Sequence, residues 1–174
     1  MNFKILAIVI AGLVIVGIGL YVGFEAKDAE EKNFEDNRTR TIPSFQLKDF
    51  SGKKVTNVDF QSRPLVLNSW AAWCPFCREE LRDFAAVQKE FKDQVVIIAI
   101  DRGEPLETAK QYTDELDVTN DLVFLLDPHD SFYQSIGGFS MPETIFVDRD
   151  GNIRIHKRGP MKADEIRKKI QQIL

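Results

Sequence analysis

The chain holds only two cysteines and two histidines among its 174 residues. So few cysteines exclude a disulfide-stapled scaffold, and they leave no second cysteine pair to complete a four-ligand zinc site. His129 and His156 lie far apart and show no ligand spacing. A c-type haem attachment would need histidine directly after the second cysteine, and Arg78 stands there instead. There is no excess of positive charge, since the net formal charge is −4. No basic stripe or phosphate-binding glycine pattern appears either, so no nucleic acid is expected as a partner. No internal repeat and no sign of a second globular domain is visible.

What is present is concentrated in residues 64–80, PLVLNSWAAWCPFCREE. Residues 64–70 read as a buried strand, and residues 78–91 read as a helix with Leu81, Phe84, Val87 and Phe91 on one stripe. Cys74 and Cys77 therefore sit at a strand-to-helix junction. The unpaired N–H groups and the dipole of a helix N-terminus favour a thiolate, which lowers a cysteine pKa from about 8.5 towards roughly 3.5–7.5 in Cys-X-X-Cys sites. On this reading Cys74 is the nucleophile, and Cys77 is the shielded partner that closes a redox-active disulfide. No metal is expected, and no cofactor beyond that disulfide. A purely structural disulfide and two unrelated buried thiols are the competing readings.

Residues 5–24 form an uncharged apolar stretch of about twenty residues, long enough to span roughly 30 Å of hydrocarbon. Lys4 precedes it and a net acidic segment follows, which favours a cytoplasmic N-terminus and an extracytoplasmic remainder. The rival is a cleaved signal peptide. The run is longer than the usual 7–15 residues of such a peptide, no clean small-residue cleavage site follows, and no cysteine is available for a lipoprotein anchor. The expected organisation is a transmembrane signal anchor at 1–24, a charged tether at 25–41 and one domain at 42–174.

Within that domain, residues 42–49 and 53–56 read as a hairpin about Ser51-Gly52. Residues 95–100 form a β-branched run suited to a central parallel strand. A helix is expected at 107–117, a strand at 122–126 and a helical turn at 130–136. A hairpin follows at 144–148 and 152–156, then an amphipathic helix at 162–174 with Ile166, Ile170 and Ile173 inward. Strands alternating with helices give an α/β mixed sheet.

The run Trp73-Cys74-Pro75-Phe76-Cys77 resembles the active site of the thioredoxin superfamily. From about residue 42 to the C-terminus the chain is similar to the membrane-tethered TlpA/ResA/CcmG-like thiol-disulfide oxidoreductases. The resemblance implies a thioredoxin-like mixed sheet flanked by helices, with an N-terminal β-hairpin extension. It implies that Met141-Pro142 is the cis-proline loop beside the disulfide, with the Met141 backbone pairing with substrate. Trp73, Pro75 and Phe76 would add contact surface. It also implies that Glu80, one helical turn beyond Cys77, carries a proton for that thiol; an ordinary solvated helix glutamate is the alternative. Asn68 stands where thioredoxin has a buried aspartate, and a neutral amide cannot serve as the base. Two departures stand out: Arg82 replaces the usual helix-kinking proline, and Phe76 is bulkier than usual. The activity implied is reduction of protein disulfides, as in cytochrome c maturation, recharged by a membrane electron donor. The alternatives are a disulfide-donating oxidase and an SCO-like copper-binding module on the same fold.

Overall fold

The computed structural model describes residues 41–174. The span expected at 1–24, and the tether up to residue 40, lie outside the described residues. Among those described, no helix is long and apolar enough to cross a membrane. Seven strands form one sheet in the order β2-β1-β5-β4-β3-β6-β7. They are β1 (Gln46–Asp49), β2 (Lys54–Thr56), β3 (Leu65–Trp70), β4 (Val96–Arg102), β5 (Val123–Asp127), β6 (Glu143–Val147) and β7 (Ile153–Arg158). The helices are α1 (Cys77–Phe91), α2 (Leu106–Glu115), α3 (Ser131–Ser135) and α4 (Ala163–Ile170).

β3, β4 and β5 run parallel, and β6 lies antiparallel against β3. Every residue of β3 is buried, so alternate side chains feed two cores rather than one core and solvent. Leu65, Leu67, Ile98, Ile100 and Ile145 point to one face, where Phe45, Phe132 and Ile136 cover them. Val66, Ile97 and Phe146 point to the other, beneath Phe84 and Val87 of α1 and Ile166 and Ile170 of α4. The hairpin β1–β2 extends the sheet by pairing antiparallel with β5, Lys48 opposite Leu126. The turn between β6 and β7 needs Gly151, whose φ of +83° is open to glycine at no steric cost. Asp148 Oδ1 accepts the N–H groups of Asp150 and Asn152 at 3.0 and 2.9 Å around that turn.

Three boundaries differ from the sequence expectation for identifiable reasons. β4 runs on to Arg102, because Asp101 pairs with Trp70 on one side and Leu126 on the other. α2 stops at Glu115, since Asp117 turns left-handed (φ +58°) and the Val118 N–H bonds back to the Thr113 carbonyl. α4 ends at Ile170 because Gln172 and Ile173 bond three residues back rather than four, tightening the last turn. α1 passes through Arg82 as one continuous α-helix.

Phe84 is the largest fully buried side chain that α1 contributes to the core. Replacing it with alanine should lower unfolding free energy by about 3–5 kcal/mol with the denaturant slope unchanged. A loss below about 1 kcal/mol would show that the helix does not rely on this contact.

Candidate active site

The site lies beyond the C-terminal end of β3, where Ala71, Ala72 and Trp73 carry the chain into α1. Cys74 and Cys77 are joined by a disulfide with a Cα–Cα distance of 5.4 Å. The sequence placed Cys74 at the helix N-terminus. The structure instead starts the helix at Cys77 and leaves Cys74 one turn ahead, its carbonyl accepting the Cys77 N–H at 3.3 Å. Both cysteines are buried, Cys74 at 1% and Cys77 at 0% exposure, so shielding does not distinguish them in the disulfide form. Around them the surface is apolar: Trp73 and Phe76 are 61% and 60% exposed, and Pro75 is exposed beside them.

Opposite this rim, the Met141–Pro142 peptide is cis. Pro142 is buried, and Met141 packs against the cluster that contains both cysteines. The loop is held from below by Glu143, fully buried at the start of β6. Its Oε2 accepts the N–H groups of Phe139 and Ser140 at 2.7 and 2.8 Å. Its Oε1 faces His156 Nε2 at 2.5 Å and Arg158 Nε at 3.3 Å on β7. Burial by itself pushes this carboxyl pKa up, but the two loop amides and His156 outweigh it, and the net direction is down. Gly138 is the loop's other fixed point. A Cβ there would lie 2.5 Å from the Tyr133 ring, whose hydroxyl donates to the Ser140 carbonyl at 2.9 Å.

Glu80 is no solvated helix residue. It is 1% exposed, and each oxygen has one donor: the Met161 N–H at 2.8 Å and Asn68 Nδ2 at 3.0 Å. Desolvation pushes its pKa up to about 8; the Met161 and Asn68 hydrogen bonds oppose this without overcoming it, and Asp83 adds to it. Asn68 Nδ2 also donates to Thr144 Oγ1 at 2.9 Å, linking α1 to β6 across the central strand. A cleft of about 470 Å³ borders the carboxyl, lined by Pro75, Phe76, Pro160 and Met161 among others.

Of the residues named by sequence reasoning, Cys74, Cys77 and Met141 pack in one cluster, and Pro142 is buried next to Met141. Glu80 lines the cleft beside Pro75 and Phe76, and Trp73, Pro75 and Phe76 form the rim. Sequence reasoning gave no role to Glu143 or to Phe139, whose N–H the Glu143 carboxylate holds. Glu143 was readable as an acid opening a strand whose antiparallel partner carries Arg158 at the paired position and His156 two residues before it. Phe139, 83% exposed, gave no such signal.

The raised Glu80 pKa fixes a pH dependence. A carboxyl that holds its proton more tightly folded than unfolded contributes stability in full below its ordinary value of 4.5, and that contribution is lost as pH rises towards about 8. At about 1.4 kcal/mol per tenfold change in proton affinity, the loss amounts to several kcal/mol. Glu80→Gln should flatten its share of the slope between those limits in denaturation of the oxidised protein; an unchanged slope would place the carboxyl in water.

Comparison with known proteins agrees with this geometry. The Redoxin family matches residues 38–174. Thioredoxin-like protein YneN of Bacillus subtilis is 28% identical, over 92% of this chain and 95% of its own length. Thiol-disulfide oxidoreductase ResA of Bacillus cereus is 25% identical, over 91% and 88%. Thiol:disulfide interchange protein DsbE of Vibrio cholerae is 30% identical, over 71% and 66%. Among solved structures, MTB DsbF superposes with a TM-score of 0.71 at 24% identity, over 77% of this chain and 100% of that one. The exposed lipoprotein thioredoxin of Streptococcus pneumoniae gives 0.66 at 27% identity, over 75% and 99%. With a family match across most of its length, this chain belongs to the Redoxin family and is a thiol-disulfide oxidoreductase of the thioredoxin superfamily.

Proposed function

We propose that this chain is a membrane-tethered, extracytoplasmic reductase of protein disulfides, of the kind that serves cytochrome c maturation, recharged by a membrane electron donor. The Cys74 thiolate attacks a substrate disulfide, expelling one substrate thiolate and forming a mixed disulfide. The Cys77 thiolate then attacks the Cys74 sulfur, expels the second substrate thiolate and restores the Cys74–Cys77 bond. Two electrons pass to the substrate, and the proton leaving Cys77 goes to Glu80. The Met141 backbone pairs with the substrate chain beside Pro142, while Trp73, Pro75 and Phe76 provide apolar contact. The tether and its orientation rest on residues 5–24 and the charges around them.

The observation that carries this reading is Glu80 itself. A carboxyl with a pKa of about 8, one helical turn from Cys77, can both hold and release a proton near neutral pH. Asn68 suits both states. Its amide N–H groups serve the ionised carboxyl, and its Oδ1, buried without a donor, becomes the acceptor for a protonated Glu80 once the amide turns over.

Three measurements test the proposal. In the reduced domain, alkylation near neutral pH should label Cys74 much faster than Cys77, and Cys77→Ser should accumulate mixed disulfides with protein partners; preferential labelling of Cys77 would reverse the roles. The reduction potential should lie nearer the reducing end of the range, about −270 mV, than the oxidising end near −120 mV, where the oxidase reading would replace this one. The full-length chain should require detergent for extraction from membranes, and recovery of a shortened soluble form would remove the tether.

A further inference from the structure

A second carboxyl assembly lies under the other side of the same loop. Asp101, the penultimate residue of β4, is fully buried. Its Oδ1 accepts the Glu104 N–H at 3.1 Å. Its Oδ2 is buried with no donor among the described residues. The Glu104 side chain is within hydrogen-bonding reach of the Asp101 carboxyl, and its Oε2 accepts the Ala72 N–H at 2.7 Å. Ala72 lies two residues before Cys74, in the turn closed by the Cys74 N–H bonding to the Ala71 carbonyl at 3.1 Å.

Asp101 is fully buried and Glu104 half-buried, and two carboxylates that meet where one has an oxygen lacking any donor are one proton short of a complete network. We infer that Asp101 and Glu104 share a single proton, and that this acid pair is a positioning device that holds the Ala72 amide and hence the turn presenting Cys74. With the proton in place, Asp101 donates to Glu104 and Glu104 accepts from Ala72. Without it, two like charges face each other, and the Glu104 carboxylate is driven off the amide.

Lys48, Lys54 and His129 line the same surface pocket as Glu104, on its solvent side, and the groups acting on Asp101 are all acidic. Asp127 of β5 acts on Asp101 with the same sign as Glu104. Its own carboxylate is engaged by the Ser131 hydroxyl and the Ser131 and Phe132 N–H groups at the start of α3. Arg102, next in the chain, is turned away to Asp130 and the Tyr133 ring. On the Glu104 side, Tyr112 of α2 faces the pair, with Arg78 of α1 over its ring. Burial, then the Glu104 hydrogen bond and charge, push the Asp101 pKa upward, in keeping with a proton retained at neutral pH.

This inference rests on the dithiol–disulfide site but not on the direction of electron flow, and its first test involves no thiol. In the oxidised protein the Ala72 amide resonance should titrate between about pH 6 and 10. Asp101→Asn should abolish that titration, because the amide N–H₂ permanently supplies what the shared proton supplies. Glu104→Gln should retain the bond to Ala72 and move the titration to lower pH, since a neutral neighbour removes the like-charge penalty. Glu80→Gln should leave it in place. In the reduced protein, Glu104→Ala should slow iodoacetamide alkylation of Cys74 by roughly fivefold, the worth of one ordinary hydrogen bond, and Glu104→Gln should restore it. An Ala72 resonance flat across this range in the wild type, or one that titrates unchanged in Asp101→Asn, overturns the shared proton. Equal alkylation rates in Glu104→Ala and wild type overturn the positioning role.

Discussion

One neutral amide in the middle of β3 ties the two halves of the active site together. Asn68 Nδ2 reaches Glu80 on α1 and Thr144 on β6 at once, so the helix carrying Cys77 and the strand following the cis-proline share a hydrogen-bonded centre. That centre has to be uncharged. A carboxylate in place of Asn68 would put two acids against each other in a strand with no exposed residue. Lys157, which acts on Glu80 more weakly than the hydrogen bonds to that carboxyl do, would then have two charges to offset instead of one. The parallel packing of β3 against β4 creates this dry environment, and the dry environment in turn gives Glu80 its altered proton affinity.

Three buried acids lie at the end of β3 that carries the cysteine turn or on the helix after it, and the direction of each pKa follows from the partners that burial has left it. Glu143 has two backbone N–H donors and two basic side chains on β7, and desolvation loses. Glu80 has one backbone N–H and one side-chain amide, both neutral, and desolvation wins. Asp101 has one N–H and another acid, so both burial and its neighbour act in the same direction. Charge is thus kept where it anchors the cis-proline loop, and protons are kept where they lie beneath the turn and the helix that bear the cysteines. Burial alone separates none of these cases; the donor set does.

The fold was legible because its signals are local. The β-branched run of β4, the stripe of α1 and the turn residues about Gly151 each specify an element without knowledge of the others. Boundaries slipped where tertiary pairing decided them, as when β4 continued to Arg102 because strands on both sides were there to bind it. Cys74 and Cys77 were legible as a motif, and Glu80 through the resemblance to the thioredoxin superfamily. Asp101 and Glu104 were not, because an isolated Glu or Asp at or just past a strand end looks like any surface residue until the sheet order is known. Glu104 meets Ala72 across 32 positions of chain, and no short-range pattern encodes that meeting. Cys77 is buried as expected, and in the disulfide form Cys74 shares its cluster with Trp70, Leu81 and Phe124, so the two thiols are equally shielded there.

These placements impose a division of labour on the loop carrying Cys74. One side is fixed by the buried sheet through Trp70, which stacks on Tyr112 at a ring distance of 5.6 Å and meets the Phe124 edge at 5.8 Å. The opposite side is open, with Trp73 and Phe76 presented to solvent. A nucleophile that must accept many geometries from a partner needs a mobile partner and a stationary sulfur, since ordering both on encounter would cost rotamer and backbone entropy twice. The buried polar groups under the loop keep the sulfur stationary. The exposed aromatics give the incoming chain apolar surface without demanding a fixed sequence.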